Sequence, residues 1–485
     1  MKTKRRNQEG TALIFALIFL LILSVMAASL MFLSQSETWS SSNYRLMTQG
    51  RYGAEAGINS AANYFMFTYA PPGGAGDPLA NYDMTQSPVK YNGADVVLST
   101  TLANSNYPSA AVAGDFAAKV PGTLTAGFGA VSYTASARLL SMRQVQVAGL
   151  SGPAANKIIQ TWQITADGNI RAARNAQVEV SAILEQQATP LYQYTAFATN
   201  NDCGALDFSG GAKTNSYDSA KLNPLTGVPV IMDAYGNVGS NGNLNENGSG
   251  TTIYGSMSTP RTGVGKCAQG GVTAWTDDGN AVVTGGFKWL PQPVVYPTPT
   301  IPPPGSNNIS GTQTLGPGTP GCLASPCTYG DININGTGII TLYPGVYNIN
   351  SLSEQGQGTI VIAPDPVTHQ PGQVILNVTG NGQSTAVDLT GGGTTNPSYD
   401  PSLLQINYSG TGKISLKGGA NASAVVNAPN ATISFNSAGG EWFGAVIGAY
   451  IKDAGGMTLS YDRHLQKKLY NVSNYMLDSF TWSKY

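Results

Sequence analysis

From Thr11 to Leu33 the sequence runs TALIFALIFLLILSVMAASLMFL, 23 residues without a charge, and no other stretch narrows the fold as far. A helix of that length, at 1.5 Å per residue, reaches about 34 Å, enough to cross a hydrocarbon core of about 30 Å. Lys2, Lys4, Arg5 and Arg6 crowd its N-terminal side. The positive-inside bias then places residues 1–10 in the cytoplasm and everything after residue 34 outside.

The helix continues past the apolar run. Between Thr11 and Met47 there is neither Pro nor Gly, the residues that most readily break a helix. Beyond it Ala54, Ile58, Ala61 and Phe65 recur at spacings of four, three and four, an apolar stripe on one face. Small residues (Gly50, Gly53, Ala54, Ala56, Gly57) would let another backbone come close, and Pro71-Pro72-Gly73-Gly74 closes the segment. The pattern predicts one helix over 11–66, apolar first and amphipathic second.

A short basic leader ending in Gly10, then a hydrophobic helix, then a polar stretch closing in Ala54-Glu55-Ala56-Gly57, resembles the N-terminus of type IV pilins, in particular the minor pilins of the PilX family. The likeness covers about 60 residues. It implies that a prepilin peptidase cuts between Gly10 and Thr11, leaving Thr11 with the N-methylated amine. It also implies partners: other pilins, the pilus assembly machinery and the inner membrane. Body and helix would leave that membrane for the cell-surface pilus. One departure stands out. Most major pilins carry Glu as the fifth mature residue, where its carboxylate pairs with a neighbour's terminal amine and offsets the burial of both charges. Here that residue is Phe15, and no acid follows before Glu37. A subunit without that carboxylate suits the tip or an initiating complex better than a repeating shaft. Two other readings of the same run stay open: a secretory signal cleaved near Val25-Met26-Ala27, which the continuing apolar Met31-Phe32-Leu33 opposes, and an uncleaved signal anchor.

Charged residues make up only 11% of the 485, against about 25% in an ordinary domain, while Gly alone supplies 59. Gly and Asn tolerate positive φ, so this mixture favours short strands and tight turns over a helical body. With a net charge of −1 the chain has no field for phosphates, and nucleic acid is excluded as a partner.

Residues 67–190 contain alternating stretches, Lys157–Thr165 and Gln177–Leu184, with a turn expected at Asp167-Gly168-Asn169 between them. A β-rich head packed on the helix is what the pilin resemblance implies for this part. From 191 to 290 turn signals such as Ser209-Gly-Gly, Tyr235-Gly-Asn and Thr284-Gly-Gly arrive about every ten residues, marking a first β-rich segment. Pro291 through Pro304 make 291–305 a stiff extended spacer or a strap along a surface. Over 306–465 the markers Ile406, Ile414, Val425, Ile433, Val446 and Met457 place alternate short strands about 20 residues apart. That period is what a parallel β-helix needs, each turn burying its face on the next; a β-sandwich is the alternative. Tyr343-Pro-Gly-Val-Tyr347 and Leu459-Ser-Tyr-Asp462 resemble segments of secreted bacterial β-solenoid surface modules. Residues 466–485 read as a tail. The predicted class is α+β, mostly β: a long N-terminal helix, a β-rich head and a Gly/Asn-rich solenoid body.

Four cysteines in an exported chain fit two disulfides, Cys322 with Cys327 across a small loop and Cys203 with Cys267. Free thiols are the alternative. Zinc is disfavoured because CxxC spacing is absent and no His is near.

No GxSxG, phosphate-loop, HExxH or dinucleotide motif occurs, and no cofactor is implied. His369 and His464 lie far apart in turn-like or polar settings. Acids in 331–465 are sparse and sit mostly beside turns, so no pair is singled out for glycoside chemistry. Trp442-Phe443 and 24 tyrosines can serve a binding surface but more commonly fill a core. The leading expectation is a pilin-like subunit, not an enzyme, displaying its β body for pilus assembly or for adhesion to a surface glycan or protein. A membrane-tethered β-helix enzyme acting on polysaccharide is the alternative.

Overall fold

A computed structural model describes residues 9–126, 129–149, 156–171, 175–247, 250–268, 270–277, 281–419, 422–436 and 439–484. The leader expected over 1–10 lies outside them up to residue 8. Two compact units share the chain. One comprises Met1–Arg143, Ile158–Gln187 and Ser473–Tyr485; the other comprises Gln144–Lys157 and Ala188–Val472.

In the first unit a single helix, α1, spans Glu9–Phe67. Its 59 residues reach about 88 Å at the usual rise. A sheet follows in the order Val97–Ser99, Gly129–Gln146, Asn156–Arg171, Asn175–Pro190 and Tyr470–Lys484, with Gly122–Ala126 paired to Gly129–Gln146. The apolar stripe of α1 lies in this unit's core: Ala54, Ile58, Ala61 and Phe65 pack among Trp162, Ile164, Ala166, Val178 and Val180.

Two expectations are corrected here. Asp167-Gly168-Asn169 is no turn; it is paired strand, with Gly168 opposite Val178. The residues 466–485 are no tail, because Tyr470–Lys484 supplies the last strand of the sheet.

The second unit is a coil of parallel strands, whose fold agrees with the predicted mostly-β class. One column runs Tyr347, Leu376, Ile406, Val426, Val446, Ala196, Val238 and Met257, each residue paired in register with the next. Residues a turn apart bury against one another, so the core is continuous along the stack. Ile414 stands on Ile433 as the period of about 20 predicts, but Ile433 stands on Ile451, not Met457. The turns between Tyr347 and Ile406 are nearer 30 residues long, extended by the loops around His369 and Tyr399. Outside this column Asn377 donates to Asn348 (3.0 Å) and Asn407 to Asn377 (3.2 Å), an amide ladder that parallel register makes possible.

The stacking order departs from the chain order. Val446 pairs with Ala196 and Thr458 with Lys213, so the 196–289 turns continue the stack begun by 309–462. The Pro-rich segment therefore separates no two bodies; it carries the chain from one end of a single coil to the other. Between Phe287 and Cys327 the column makes nine steps, about 43 Å at the usual strand spacing. Residues 290–308 reach about 56 Å in an extended proline-rich conformation, enough to span it. Proline suits a strap because it donates no backbone hydrogen bond and holds φ fixed. Asn241 clamps it, Nδ2 donating to Val294 O (2.9 Å) and Oδ1 accepting from Val294 N (2.8 Å). Farther along, the Tyr296 ring packs 4.9 Å from Phe197, and Gly305 N donates to Tyr329 O at 3.0 Å.

Both expected disulfides are present, Cys203–Cys267 and Cys322–Cys327. The first closes a 64-residue loop across the end turns of the coil.

Candidate functional site

Residues 11–45 of α1 are exposed throughout, including Phe15, Phe19, Leu20 and Phe32, each at least 68% accessible. An apolar surface of that extent is not stable against water; it calls for lipid or for other apolar helices. By length and composition this is the one helix among the described residues fit to cross a membrane. Its two mid-span serines satisfy themselves, Ser24 Oγ donating to Leu21 O and Ser29 Oγ to Val25 O, both at 2.8 Å. Such back-bonding removes the cost of a bare hydroxyl in hydrocarbon. Gly10 and Thr11 are both helical, and Phe15 lies on the exposed surface one turn later.

The second half of α1 is held by close backbone approach. A Cβ on Gly50 would touch Val178 at 3.0 Å, and one on Gly57 would come within 2.9 Å of Ala166. Arg51 and Glu55 pair at 2.7 Å on the solvent side, a surface i,i+4 contact of small energetic weight.

In the second unit the acids fall into two groups. Glu354, Asp453 and Glu246 occupy one inward column, which reads Ile334, Glu354, Leu389, Leu416, Phe435, Asp453, Phe208, Glu246. All three are buried and tied to neighbouring backbone or rings. Glu354 Oε1 accepts from Gly393 N at 2.5 Å, Asp453 Oδ1 from Gly455 N and Met457 N at 3.2 Å each, and Glu246 Oε2 from Trp275 Nε1 at 2.8 Å. Burial pushes the Glu354 carboxyl up to about 7 and Asp453 up to about 6. These acids cap corners of the coil. A sequence signal exists for them: Glu354 and Asp453 each end a strand, Glu246 stands one residue before a strand's end, and all three are followed two residues later by Gly.

The second group, Asp400, Glu441 and Asp462, surrounds the fully buried Tyr217, whose hydroxyl is raised by burial first and by those three charges. Asp400 takes Lys468 Nζ at 2.5 Å and Ser402 N at 3.1 Å. Asp462 accepts from Ser219 N (3.0 Å), Ser219 Oγ (2.7 Å) and His464 N (2.9 Å). Glu441 is placed differently, on a cleft of about 410 Å³ lined also by Val228, Pro229, Ile231, Tyr399, Gly419, Gly439, Gly440 and Phe443. Its Oε1 is 2.5 Å from Ser460 Oγ, and burial raises its carboxyl. The Tyr399 and Phe443 rings meet edge to face, centroids 5.0 Å apart. Tyr399 adopts φ +53°, uncommon for a side chain of its size, and Tyr217 Oη braces it by donating to its carbonyl at 2.8 Å. Trp442 points into the coil core, so only the Phe443 half of that aromatic pair reaches the cleft.

The histidines stay apart. His369 sits at φ +55° in an exposed turn held by Asp365, and His464 Nδ1 is 3.7 Å from Asp218. Among the described residues no three His, Cys, Asp or Glu side chains gather as a metal site.

Comparison with known proteins bears on both units. The family model described as PilX N-terminal matches residues 9–59, the greater part of α1. Residues 350–468 match a domain of unknown function, DUF7305. No curated protein matches the chain. Among solved structures the competence-associated pilin ComZ from Thermus thermophilus is similar over 90% of this chain and 97% of its own, at 15% identity. Its TM-score of 0.26 is too low to make the two one fold.

Proposed function

We propose that this chain is a type IV pilin-like subunit, inserted and assembled through the exposed half of α1 and displaying the coil of parallel strands outside the membrane. The observation that carries this reading is the division of one helix: residues 11–45 bare, and apolar as far as Leu33, residues 54–65 sunk in a folded head. A soluble protein gains nothing from such a helix, whereas a subunit that moves from bilayer to filament needs its free half in both places. The PilX-type match over 9–59 supports it.

On this reading prepilin peptidase cuts between Gly10 and Thr11, Thr11 carries the methylated amine, and Phe15 in place of Glu sets the subunit at a pilus tip, for pilus assembly or adhesion. The leader faces the cytoplasm and the body the outside of the inner membrane before assembly. Mass spectrometry of the mature N-terminus tests the proposal. A methylated Thr11 is the expected start; a start near Ala28 overturns it. Deleting the gene is expected to reduce piliation or attachment.

The rival, a polysaccharide-cleaving enzyme, calls for a pair of facing carboxylates. The cleft beside Tyr399 is lined by one, Glu441, while Asp400 and Asp462 are engaged by Lys468, Ser402 and Ser219.

A further inference from the structure

We propose that the cleft between Glu441, Tyr399 and Phe443 binds the side chain of a lysine presented by another polypeptide, its ammonium on the Glu441 carboxylate and its methylene stem along Val228, Pro229 and Ile231. The proposal concerns the second unit alone and does not depend on filament assembly.

The charge balance points to a cation. Asp400 has Lys468 beside it, and Asp218 has Lys221 at 4.0 Å and His464 at 3.7 Å. Among the described residues no Lys, Arg or His lies within ion-pair distance of Glu441, although it is the acid that lines the cleft. Among the described residues its side chain has one close polar partner, the Ser460 hydroxyl, which also lies 2.6 Å from Asn215 Oδ1 and so has a single proton to share between two acceptors. A half-buried carboxylate with so little compensation is stabilised by a cation that enters the cleft.

The aromatic pair sharpens the choice. Tyr399 and Phe443 touch edge to face, centroids 5.0 Å apart, so no group enters between them and the pair forms one continuous aromatic part of the cleft that Glu441 also lines. An ammonium within about 6 Å of a ring face is attracted by the ring quadrupole, more strongly where water is excluded. The apolar part of the lining decides between ammonium carriers. Val228, Pro229 and Ile231 are apolar and partly exposed, and side chains of that kind offer no hydrogen bonds to sugar hydroxyls. They suit the alkyl stem of lysine, which packs on apolar surface while its charged end seeks a polar partner. A volume of about 410 Å³ lies within the usual range for small-ligand pockets.

The test is titration of the full-length protein in detergent micelles with Nα-acetyl-lysine N-methylamide, followed by ligand-observed NMR. Nα-acetyl-norleucine N-methylamide, which keeps the stem and lacks the amine, and glucosamine serve as comparisons. The lysine derivative is expected to bind at least tenfold more tightly than either. Glu441→Gln is expected to erase the preference over norleucine, with its thermal midpoint recorded to show that it folds. The comparison on the unaltered protein needs no variant. Equal affinity for lysine and norleucine derivatives, no binding of the lysine derivative, tighter binding of glucosamine, or an undiminished preference in a folded Glu441→Gln protein each overturns the proposal.

Discussion

Gly168 lies against the backbone of Gly50: a Cβ at position 168 would overlap the Gly50 carbonyl oxygen and stand 2.6 Å from the Ala54 nitrogen. Gly168 is paired strand and its φ is not left-handed, so glycine is needed there for closeness and not for a turn. Any side chain must push helix and sheet apart across the core that Ala54, Ile58 and Phe65 share with Trp162.

Gly168→Ala is accordingly expected to destabilise the first unit by about 2–4 kcal/mol, the scale of overpacking a close contact. Gly114→Ala is the matched control. It sits in the helix Ala110–Lys119 with nothing within 4 Å of a Cβ, and is expected to be neutral or slightly stabilising. Thermal unfolding of the two variants side by side checks the contrast.

This pair also shows where sequence reasoning reaches its limit. Asp-Gly-Asn between two alternating runs is ordinary turn chemistry, and only the helix above it turns the glycine into a contact residue. The helix itself was legible because 23 uncharged residues and the absence of Pro or Gly leave few alternatives. So were the disulfides, from four cysteines in an exported chain, and the short strands near Ile406 and Ile414, which local alternation sets. The order of the coil was not legible. A parallel strand can stack on any turn of matching face, and nothing local says that Ala196 follows Val446. The cleft was hidden for the same reason, as its walls come from 228–231, 399, 419 and 439–443.

The strap depends on a side chain that the sequence did not mark. Asn241 is buried, gives and takes a hydrogen bond with Val294, and also donates to Thr199 O at 3.0 Å. Asn241→Ala leaves those groups bare and is expected to cost about 2–3 kcal/mol. Limited proteolysis gives the local readout: cleavage within 291–305 should quicken several-fold relative to the remaining sites. Unchanged cleavage would mean that the prolines and Tyr296 hold the strap unaided.

Glu354 sets an unusual pH dependence. Its carboxyl ordinarily titrates near 4.5 and burial holds it at about 7, so between those values the folded protein binds more protons than the unfolded chain. Stability then falls as pH rises through that window, and Asp453, raised to about 6, adds in the same direction. Glu354→Gln keeps an acceptor for the Gly393 amide and cannot ionise. It is expected to flatten the dependence and to gain up to about 3 kcal/mol at pH 7.5 relative to pH 4.5. Thermal midpoints of both proteins across that range decide it; parallel curves would place the cause elsewhere.

On the proposed pilin-like reading, Phe15 bears on where the subunit stands in a filament. A carboxylate five residues into the mature chain would neutralise the terminal amine of a neighbour within the apolar core, and breaking such a pair costs several kcal/mol. Phe15 is exposed on α1, so a Glu there has room and disturbs no packing in this chain. If the missing charge keeps the subunit out of the shaft, Phe15→Glu should raise the number of copies per filament and move them along its length. Immunogold labelling of the second unit measures both. The unaltered protein is expected at one end of each filament. Label spread along the shaft before any substitution, or a variant that remains confined to the end, would sever the link between Phe15 and position.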